Sequence, residues 1–212
     1  MAEARQRKHS TLFYARSVVR QVWNHPANRK HRVRALGRAV WWQTRKRLIA
    51  RPAVVQLPGG IRMYCHRDNT VASQTWYFGP YTEYHELLFM TRYLRAGDGV
   101  IDAGANIGLY SLLAAPIVGP EGRIDCFEPA TAAASRLAEN IALNGLGHVH
   151  LHRVAVSDRP GDVVFSTGWD VSNSIVPEGA AQSEGVSVRA TTLDDALCGR
   201  EYAFAKLDLE GA

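Results

Sequence analysis

Two acidic residues and two glycines near the middle of the chain have the spacing of a nucleoside-binding site. The apolar residues Val100 and Ile101 are followed by Asp102, and glycines stand at positions 104 and 108. Glu128 ends the next apolar run, 20 residues after Gly108. Glycines in a turn between a strand and a helix let a ligand approach the backbone, and an acid further on can accept hydrogen bonds from ribose hydroxyls. The spacing therefore predicts a site for a ligand that carries a ribose.

The turn itself distinguishes two classes of cofactor. A nicotinamide dinucleotide favours G-x-G-x-x-G, whereas residues 104–108 read G-A-N-I-G and lack the middle glycine. Asp102, two residues before the turn, would repel a pyrophosphate but suits a ligand with an ammonium group. S-adenosylmethionine has an ammonium, a sulfonium and a ribose, and it has no phosphate. These residues favour S-adenosylmethionine, and an NAD(P)-dependent oxidoreductase is the alternative.

Alternating strands and helices are expected to position this site. The strand-like runs GVIDAG and RIDCFEP are each followed by a helix-like segment, and the strand-like run VHLHRVAVS comes next. This alternation predicts an α/β fold with a parallel sheet and right-handed crossovers. The run AFAKLDLEGA predicts a fourth parallel strand, which ends at Ala212. Because such a strand would leave one edge of the sheet unpaired, we expect the sequence to be truncated, and this chain by itself to be poorly stable and inactive.

The segments before the first of these strands have a different character. Residues 1–51 contain 14 of the 25 Lys and Arg residues and one acid, Glu3, so this segment carries a net charge of +13 against −8 for the remainder. Two basic helices are predicted here, ending before Pro26 and Pro52. In the second helix, the apolar residues that form a stripe are Val33, Leu36, Val40, Trp41 and Leu48. AVVQLPGGIRMYCH then predicts a β-hairpin, and GPYTEYHELLFMTRYL predicts a helix.

Five blocks of the sequence together resemble the FkbM family of S-adenosylmethionine-dependent methyltransferases. In chain order they are VIDAGANIGLYSLLAA, CFEPATAAASRLAENIALNG, HRVAVSDRPGDVVF, TTLDDAL and KLDLEGA. The resemblance covers residues 79–212 and implies a Rossmann-like class I methyltransferase fold, of which the first four parallel strands would be present. It also implies methyl transfer, commonly to a hydroxyl oxygen of a sugar, lipid or natural-product acceptor. The chain then divides into a basic helical extension (1–51), a β-hairpin lead-in (52–78) and a partial methyltransferase domain (79–212).

The resemblance also implies roles for individual residues. The positions that match cofactor-binding positions are Asp102, Gly104, Asn106, Gly108, Glu128, Ser157 and Asp158. Asp208 and Glu210 match the family's K-x-D-x-E-G block, and Asp208 is the candidate general base, with Glu210 and His85 as further candidates. Turn chemistry alone would also explain Ser157 and Asp158, and a structural role would also explain Asp208.

Composition restricts the other possibilities. Cys65, Cys126 and Cys198 are scattered, and no cluster has the spacing of metal ligands, so no metal is expected. No signal-peptide-like run follows the basic N-terminus, and a cytoplasmic protein is expected. The basic extension allows contact with nucleic acid or an anionic membrane surface, in which case the α/β domain could be a non-catalytic scaffold. We expect instead that the extension packs its tryptophans on the domain and exposes its charges.

Overall fold

The computed structural model describes residues 15–166, 185–197 and 199–209. Besides two short 3-10 helices, Pro26–Asn28 and Pro58–Gly60, these residues form helices and strands, which alternate between residues 99 and 152. The helices are α1 (15–24), α2 (Arg32–Leu48), α3 (Thr70–Phe78), α4 (Tyr84–Tyr93), α5 (Leu109–Val118), α6 (Thr131–Asn144) and α7 (Leu193–Leu197). The strands are β1 (Ala53–Gln56), β2 (Arg62–Cys65), β3 (Gly99–Ala103), β4 (Arg123–Phe127), β5 (Val149–His152), β6 (Ala155–Val156), β7 (Gly161–Ser166), β8 (Gly185–Thr191) and β9 (Phe204–Leu207).

The central sheet has four parallel strands in the described part of the chain, in the order β5-β4-β3-β9. The predicted Rossmann-like α/β arrangement is therefore confirmed. Because β4 and β5 lie on one side of β3 and β9 lies on the other, the strand order reverses at β3. In open α/β sheets the crevice beyond the carboxyl ends of the strands at such a reversal is where ligands bind.

Both faces of this sheet carry apolar residues. Val100 and Ile124 belong to the larger core cluster, together with residues of α5 and α6. Ile101 and Phe127 point to the opposite face, where they pack with Leu197 of α7. The alternation follows from the period of two along a strand and explains why β3 and β4 are nearly continuous runs of apolar residues.

The run VHLHRVAVS forms two strands rather than the predicted one. β5 ends at His152, and β6 begins at Ala155 and pairs with β8 in a second sheet of order β6-β8-β7. The prediction was wrong because β6 finds its partner about 35 residues later in the chain, where Ala155 is opposite Ala190. Nothing local in the run marks this change of sheet.

The predicted hairpin and lead-in helix are confirmed as β1–β2 and α4. Between them lies α3, which the sequence reading did not identify. Asn69 begins this helix by accepting a hydrogen bond from the backbone N–H of Ala72, and Gly79 ends it at φ +79°. The segment TVASQTWYF is mostly buried, so it lacks the polar and apolar contrast that identifies a surface helix.

The two predicted basic helices are confirmed as α1 and α2, and both contribute to the main core. Val22 of α1 and Ala35, Ala39 and Trp42 of α2 are buried in the same cluster as residues of α5. The small side chains of Ala35 and Ala39 let α2 pack closely against α3, and the indole N–H of Trp42 donates to the Ser73 hydroxyl at 3.0 Å. Val33, Val40 and Leu48 of the predicted apolar stripe lie on the other side of α2 and face solvent. Trp41 is half-exposed with its ring against Trp76, and Leu36 is partly buried against the core.

Candidate functional site

The turn at residues 104–108 connects β3 to α5 through three left-handed residues. Gly104 has φ +74°, Asn106 has φ +49° and Gly108 has φ +90°. A Cβ on Gly104 would lie 2.3 Å from the carbonyl oxygen of Asp208, and one on Gly108 would lie 2.3 Å from Cδ1 of Leu137. The two glycines are therefore required both by the backbone conformation and by the close packing of the turn on β9 and α6.

Every backbone N–H of this turn is already used within the chain. The bonds are Gly104 N–H and Ala105 N–H to the Phe127 carbonyl (2.9 and 3.0 Å), Asn106 N–H to Glu128 Oε2 (2.8 Å), Ile107 N–H to Asn106 Oδ1 (2.8 Å) and Gly108 N–H to the Ala105 carbonyl (2.8 Å). Phosphate-binding turns depend on N–H groups that point at the ligand. The groups with spare capacity here are hydrogen-bond acceptors rather than backbone donors.

Asp102 is the first of these acceptors. Its side chain, at the carboxyl end of β3, is 1% exposed. Oδ2 accepts hydrogen bonds from the Ser111 hydroxyl at 2.6 Å and from the Ser111 N–H at 3.1 Å. Oδ1 accepts no hydrogen bond from any residue in the described ranges, and the nearest cation is Lys206 Nζ at 3.9 Å. A buried carboxylate oxygen without a donor is costly, so this atom marks a place for a donor-bearing ligand.

Glu128 is the second acceptor and closes the turn from the next strand. Its Oε2 accepts the Asn106 N–H and its Oε1 accepts the Ala130 N–H, both at 2.8 Å. Each carboxylate oxygen has two lone pairs, so both retain capacity for one more donor. Burial raises the pKa of Glu128 above its usual value, and the charge of Asp102 adds to this, although the two backbone hydrogen bonds act in the other direction.

Lys206 stands between the acidic groups and was not among the predicted site residues. It is opposite Asp102 in the β3–β9 register. Its Nζ donates to the Gly104 carbonyl at 2.8 Å and lies 3.3 Å from Asp208 Oδ2. The side chain is 14% exposed. The block KLDLEGA contains Lys206 and was the sequence feature that could have identified it. Its position in the site depends on the pairing of β3 with β9, which are about 100 residues apart in sequence.

A tyrosine and a glutamate adjoin this cluster and were also missed. The Tyr110 hydroxyl donates a short hydrogen bond to Glu83 Oε2, which joins the start of α4 to α5. Lys206 Nζ lies 5.4 Å from the centre of the Tyr110 ring. Burial, together with the Glu83 carboxylate, raises the pKa of Tyr110 well above its usual value, so the phenol keeps its proton at neutral pH.

The predicted residues do not all meet at this turn. Asp208 lies at the turn, because its N–H donates to the Ala103 carbonyl at 3.1 Å. Its side chain is 62% exposed. The Ser157 hydroxyl donates to Asp158 at 3.2 Å, and Asp158 lies 3.7 Å from Arg159, so the side-chain contacts of this pair are local. His85 is exposed, with its ring against Tyr84. Glu210 lies outside the described residues.

Comparison with known proteins gives distant structural likenesses. No protein-family model matches the chain, and no curated protein matches it significantly. P. horikoshii TYW2 in complex with MeSAdo is 21% identical, with 53% of this chain and 39% of that chain covered and a TM-score of 0.41. The SAM-dependent O-methyltransferase from Thermotoga maritima is 17% identical (51% and 44% covered, TM-score 0.32), and methyltransferase FkbM from Methylobacillus flagellatus is 15% identical (68% and 38% covered, TM-score 0.39). The chain spans less than half of each of these structures, and at these TM-scores the likenesses assign no function.

Proposed function

We propose that this chain is part of an S-adenosylmethionine-dependent methyltransferase that binds its cofactor at residues 102–128. One observation carries the proposal. All backbone N–H groups of residues 104–108 donate to acceptors within the chain, whereas the buried Oδ1 of Asp102 accepts no hydrogen bond from the described residues. A ligand for this site must therefore bring donors and positive charge. S-adenosylmethionine brings an ammonium group, a sulfonium and two ribose hydroxyls.

The individual residues fit the parts of this cofactor. Asp102 Oδ1 would accept from the ammonium group, and the free lone pairs of Glu128 would accept from the ribose hydroxyls. The ammonium of Lys206, beside Asp102, would pair with the carboxylate of the methionine part. One buried anion next to one cation matches a zwitterionic amino acid.

The same groups disfavour the NAD(P) alternative. A pyrophosphate would find no free N–H among residues 104–108 and would lie near two buried carboxylates, Asp102 and Glu128. Repulsion between such charges is strong where little water screens it. A dinucleotide would therefore need the turn to rearrange.

The acceptor is proposed to be a hydroxyl of a small molecule or glycan, as the FkbM resemblance implies. The cofactor would supply a methyl group on a good leaving group, so the chain's task is to orient the reactants and to take the hydroxyl proton. Asp208 is the proposed base, because its carboxylate is exposed at the carboxyl end of β9 and is held toward the turn by Lys206. Tyr110 keeps its proton and donates it in a hydrogen bond to Glu83, so it is not a candidate base. In the whole methyltransferase of which this chain is proposed to be part, we expect Asp208→Asn to lower kcat by about 100-fold or more with unchanged cofactor affinity.

Calorimetry with S-adenosylmethionine and with NAD⁺ tests the cofactor assignment. We expect S-adenosylmethionine to bind, and Asp102→Asn to weaken its binding at least about tenfold, since a hydrogen bond to a charged group is lost. Asp162→Asn, an exposed carboxylate on β7, is the matched control and should leave the affinity unchanged. Binding of NAD⁺ that Asp102→Asn strengthens, or equal S-adenosylmethionine affinity in all three proteins, would overturn the proposal.

A further inference from the structure

The most apolar stripe of α2 points away from the protein core. Val33, Val40 and Leu48 are 78%, 66% and 78% exposed, and Trp41 is 48% exposed. The opposite side of the helix, at Ala35, Ala39 and Trp42, is the side that packs in the core. Large apolar side chains gathered on one exposed stripe, rather than scattered singly, are characteristic of interaction surfaces.

The segment that carries this stripe is strongly basic. Residues 15–51 contain 11 Lys and Arg residues and no Asp or Glu. Arg34 and Arg47 are exposed and stand seven residues from Trp41 and Val40, respectively, so each lies beside the stripe on the helix surface. We call Val33, Val40, Trp41 and Leu48, with Arg34 and Arg47, the basic apolar face.

Helix α1 adds to the same end of the molecule. Val19 and Trp23 are 50% and 41% exposed, and Arg16 and Arg20 are exposed on the same helix. The guanidinium of Arg32, at the start of α2, lies 5.2 Å from the centre of the Trp23 ring. The basic apolar character therefore extends from α2 onto α1.

We propose that the basic apolar face docks on the surface of an anionic lipid bilayer, with α2 lying in the interface. Aliphatic side chains would enter the boundary between headgroups and acyl chains, and arginines would pair with anionic headgroups. No helix in the described part of the chain has the length and apolarity to span a bilayer.

Lipid fits this face better than single-stranded RNA does. RNA is held by cations on phosphates and by aromatic rings on bases, and Trp41 with the arginines could supply both. RNA binding gives no reason for exposed Val33, Val40 and Leu48, whereas a bilayer removes all three from water. The proposal goes beyond the methyltransferase function and does not depend on it.

Vesicle co-sedimentation of the whole chain tests the docking surface. We expect binding to phosphatidylcholine vesicles with about 30% phosphatidylserine and little binding to pure phosphatidylcholine, because anionic headgroups attract the arginines. The triple variant Val33→Ser/Val40→Ser/Leu48→Ser should reduce binding at least about tenfold, since the apolar contribution is lost. Val54→Ser/Val164→Ser is the matched control, because these valines are 48% and 46% exposed and lie in β1 and β7 rather than in α2. This double variant should bind like the wild type.

Two further measurements make the outcome decisive. Circular dichroism should show unchanged helix content in the triple variant, because the three side chains lie outside the core. Anisotropy with a labelled single-stranded RNA should show no binding that competes with vesicles. The proposal is overturned by vesicle binding that the serine variants leave intact. RNA binding that Arg34→Gln/Arg47→Gln abolishes and the triple serine variant preserves, without vesicle binding, would overturn it in favour of a nucleic-acid surface.

Discussion

Asp102 and Asp125 are two buried carboxylates on neighbouring strands of one sheet, and they differ in how fully their oxygens are used. They are 1% and 0% exposed, and Asp125 is opposite Ile101, the residue before Asp102. The shift of one residue sends them to opposite faces of the sheet. Asp125 has donors on both oxygens, whereas Asp102 has donors on only one in the described part of the chain. The comparison separates a carboxylate that holds the fold from one that is available to a ligand.

Asp125 connects β4, β5 and the segment just before β9 through hydrogen bonds to both of its oxygens. Arg123 donates two hydrogen bonds to it, at 2.6 and 3.0 Å, His152 contacts it at 2.7 Å and the Tyr202 hydroxyl donates at 2.8 Å. Burial alone would raise the pKa of Asp125, but hydrogen bonds from His152, Arg123 and Tyr202 outweigh burial and hold it well below its usual value. Each carboxylate oxygen of Asp125 already accepts two hydrogen bonds, so neither is available to a ligand.

Asp125→Asn should give the largest loss of stability. An amide cannot accept from all three partners and removes the charge that Arg123 faces, so the free energy of unfolding should fall by about 3 kcal/mol. Urea unfolding followed by circular dichroism measures this. Asp162→Asn, an exposed acid, should change the value by less than about 0.5 kcal/mol. Equal effects of the two variants would remove the structural role of Asp125.

Gly104→Ala should give the second largest loss of stability. It tests the backbone of the turn at residues 104–108 independently of the Asp102 carboxylate. Left-handed φ and a Cβ 2.3 Å from the Asp208 carbonyl should together cost about 2 kcal/mol. Gly145→Ala is the matched control, because Gly145 is left-handed (φ +62°, ψ +35°) with nothing within 4 Å of an added Cβ. Its loss should be about 1 kcal/mol, the left-handed cost alone. Identical losses would show that the approach of the turn to β9 is not tight.

The two carboxylates also show how far the sequence could lead. Asp102, Gly104, Gly108 and Glu128 lie within one strand–helix–strand unit, so local spacing was enough to predict them together. Asp125 was not singled out, because two of its partners, His152 and Tyr202, are 27 and 77 residues away in sequence. The position of Lys206 beside Asp102 was not predicted for the same reason: it depends on the pairing of β3 with β9.

In α2 the sequence identified the apolar stripe but not the side of the helix that is buried. Periodicity marks large apolar residues. It selected Val33, Leu36, Val40, Trp41 and Leu48, of which Leu36 is partly buried against the core and the others are exposed. The core instead receives Ala35 and Ala39, whose small size allows close approach to α3, and Trp42, which also satisfies its N–H on Ser73. Contact distance between helices is a tertiary property that a single-helix pattern does not contain.

Asp102→Asn should destabilise the protein less than Asp125→Asn, by about 1 kcal/mol, because one amide oxygen can keep both hydrogen bonds from Ser111. The same variant is expected to lose most of its S-adenosylmethionine binding. Measuring unfolding and cofactor affinity on the same protein sample therefore separates the two carboxylates. A stability loss as large as that of Asp125→Asn would make Asp102 a structural residue as well.

The smallest effect should be that of Glu128 on the pH dependence of stability, which is opposite in direction to that of Asp125. The pKa of Asp125 is lowered from 3.8, so its contribution is complete above that pH and is lost as the pH falls. The pKa of Glu128 is raised from 4.5, because burial disfavours its charged form; the folded state therefore loses stability as the pH rises through the raised pKa. The effect is small because the Asn106 and Ala130 N–H groups offset part of the burial cost.

Urea unfolding of the wild type, Asp125→Asn and Glu128→Gln between about pH 3 and pH 7 measures both slopes. The difference between the wild type and Asp125→Asn should grow with pH, and the difference between the wild type and Glu128→Gln should shrink. Hydrogen bonds that glutamine fails to make contribute a constant offset, so only the slope reports the titration of Glu128. A difference from Glu128→Gln that grows with pH would mean that Glu128, like Asp125, is stabilised in its charged form, and would contradict the raised pKa.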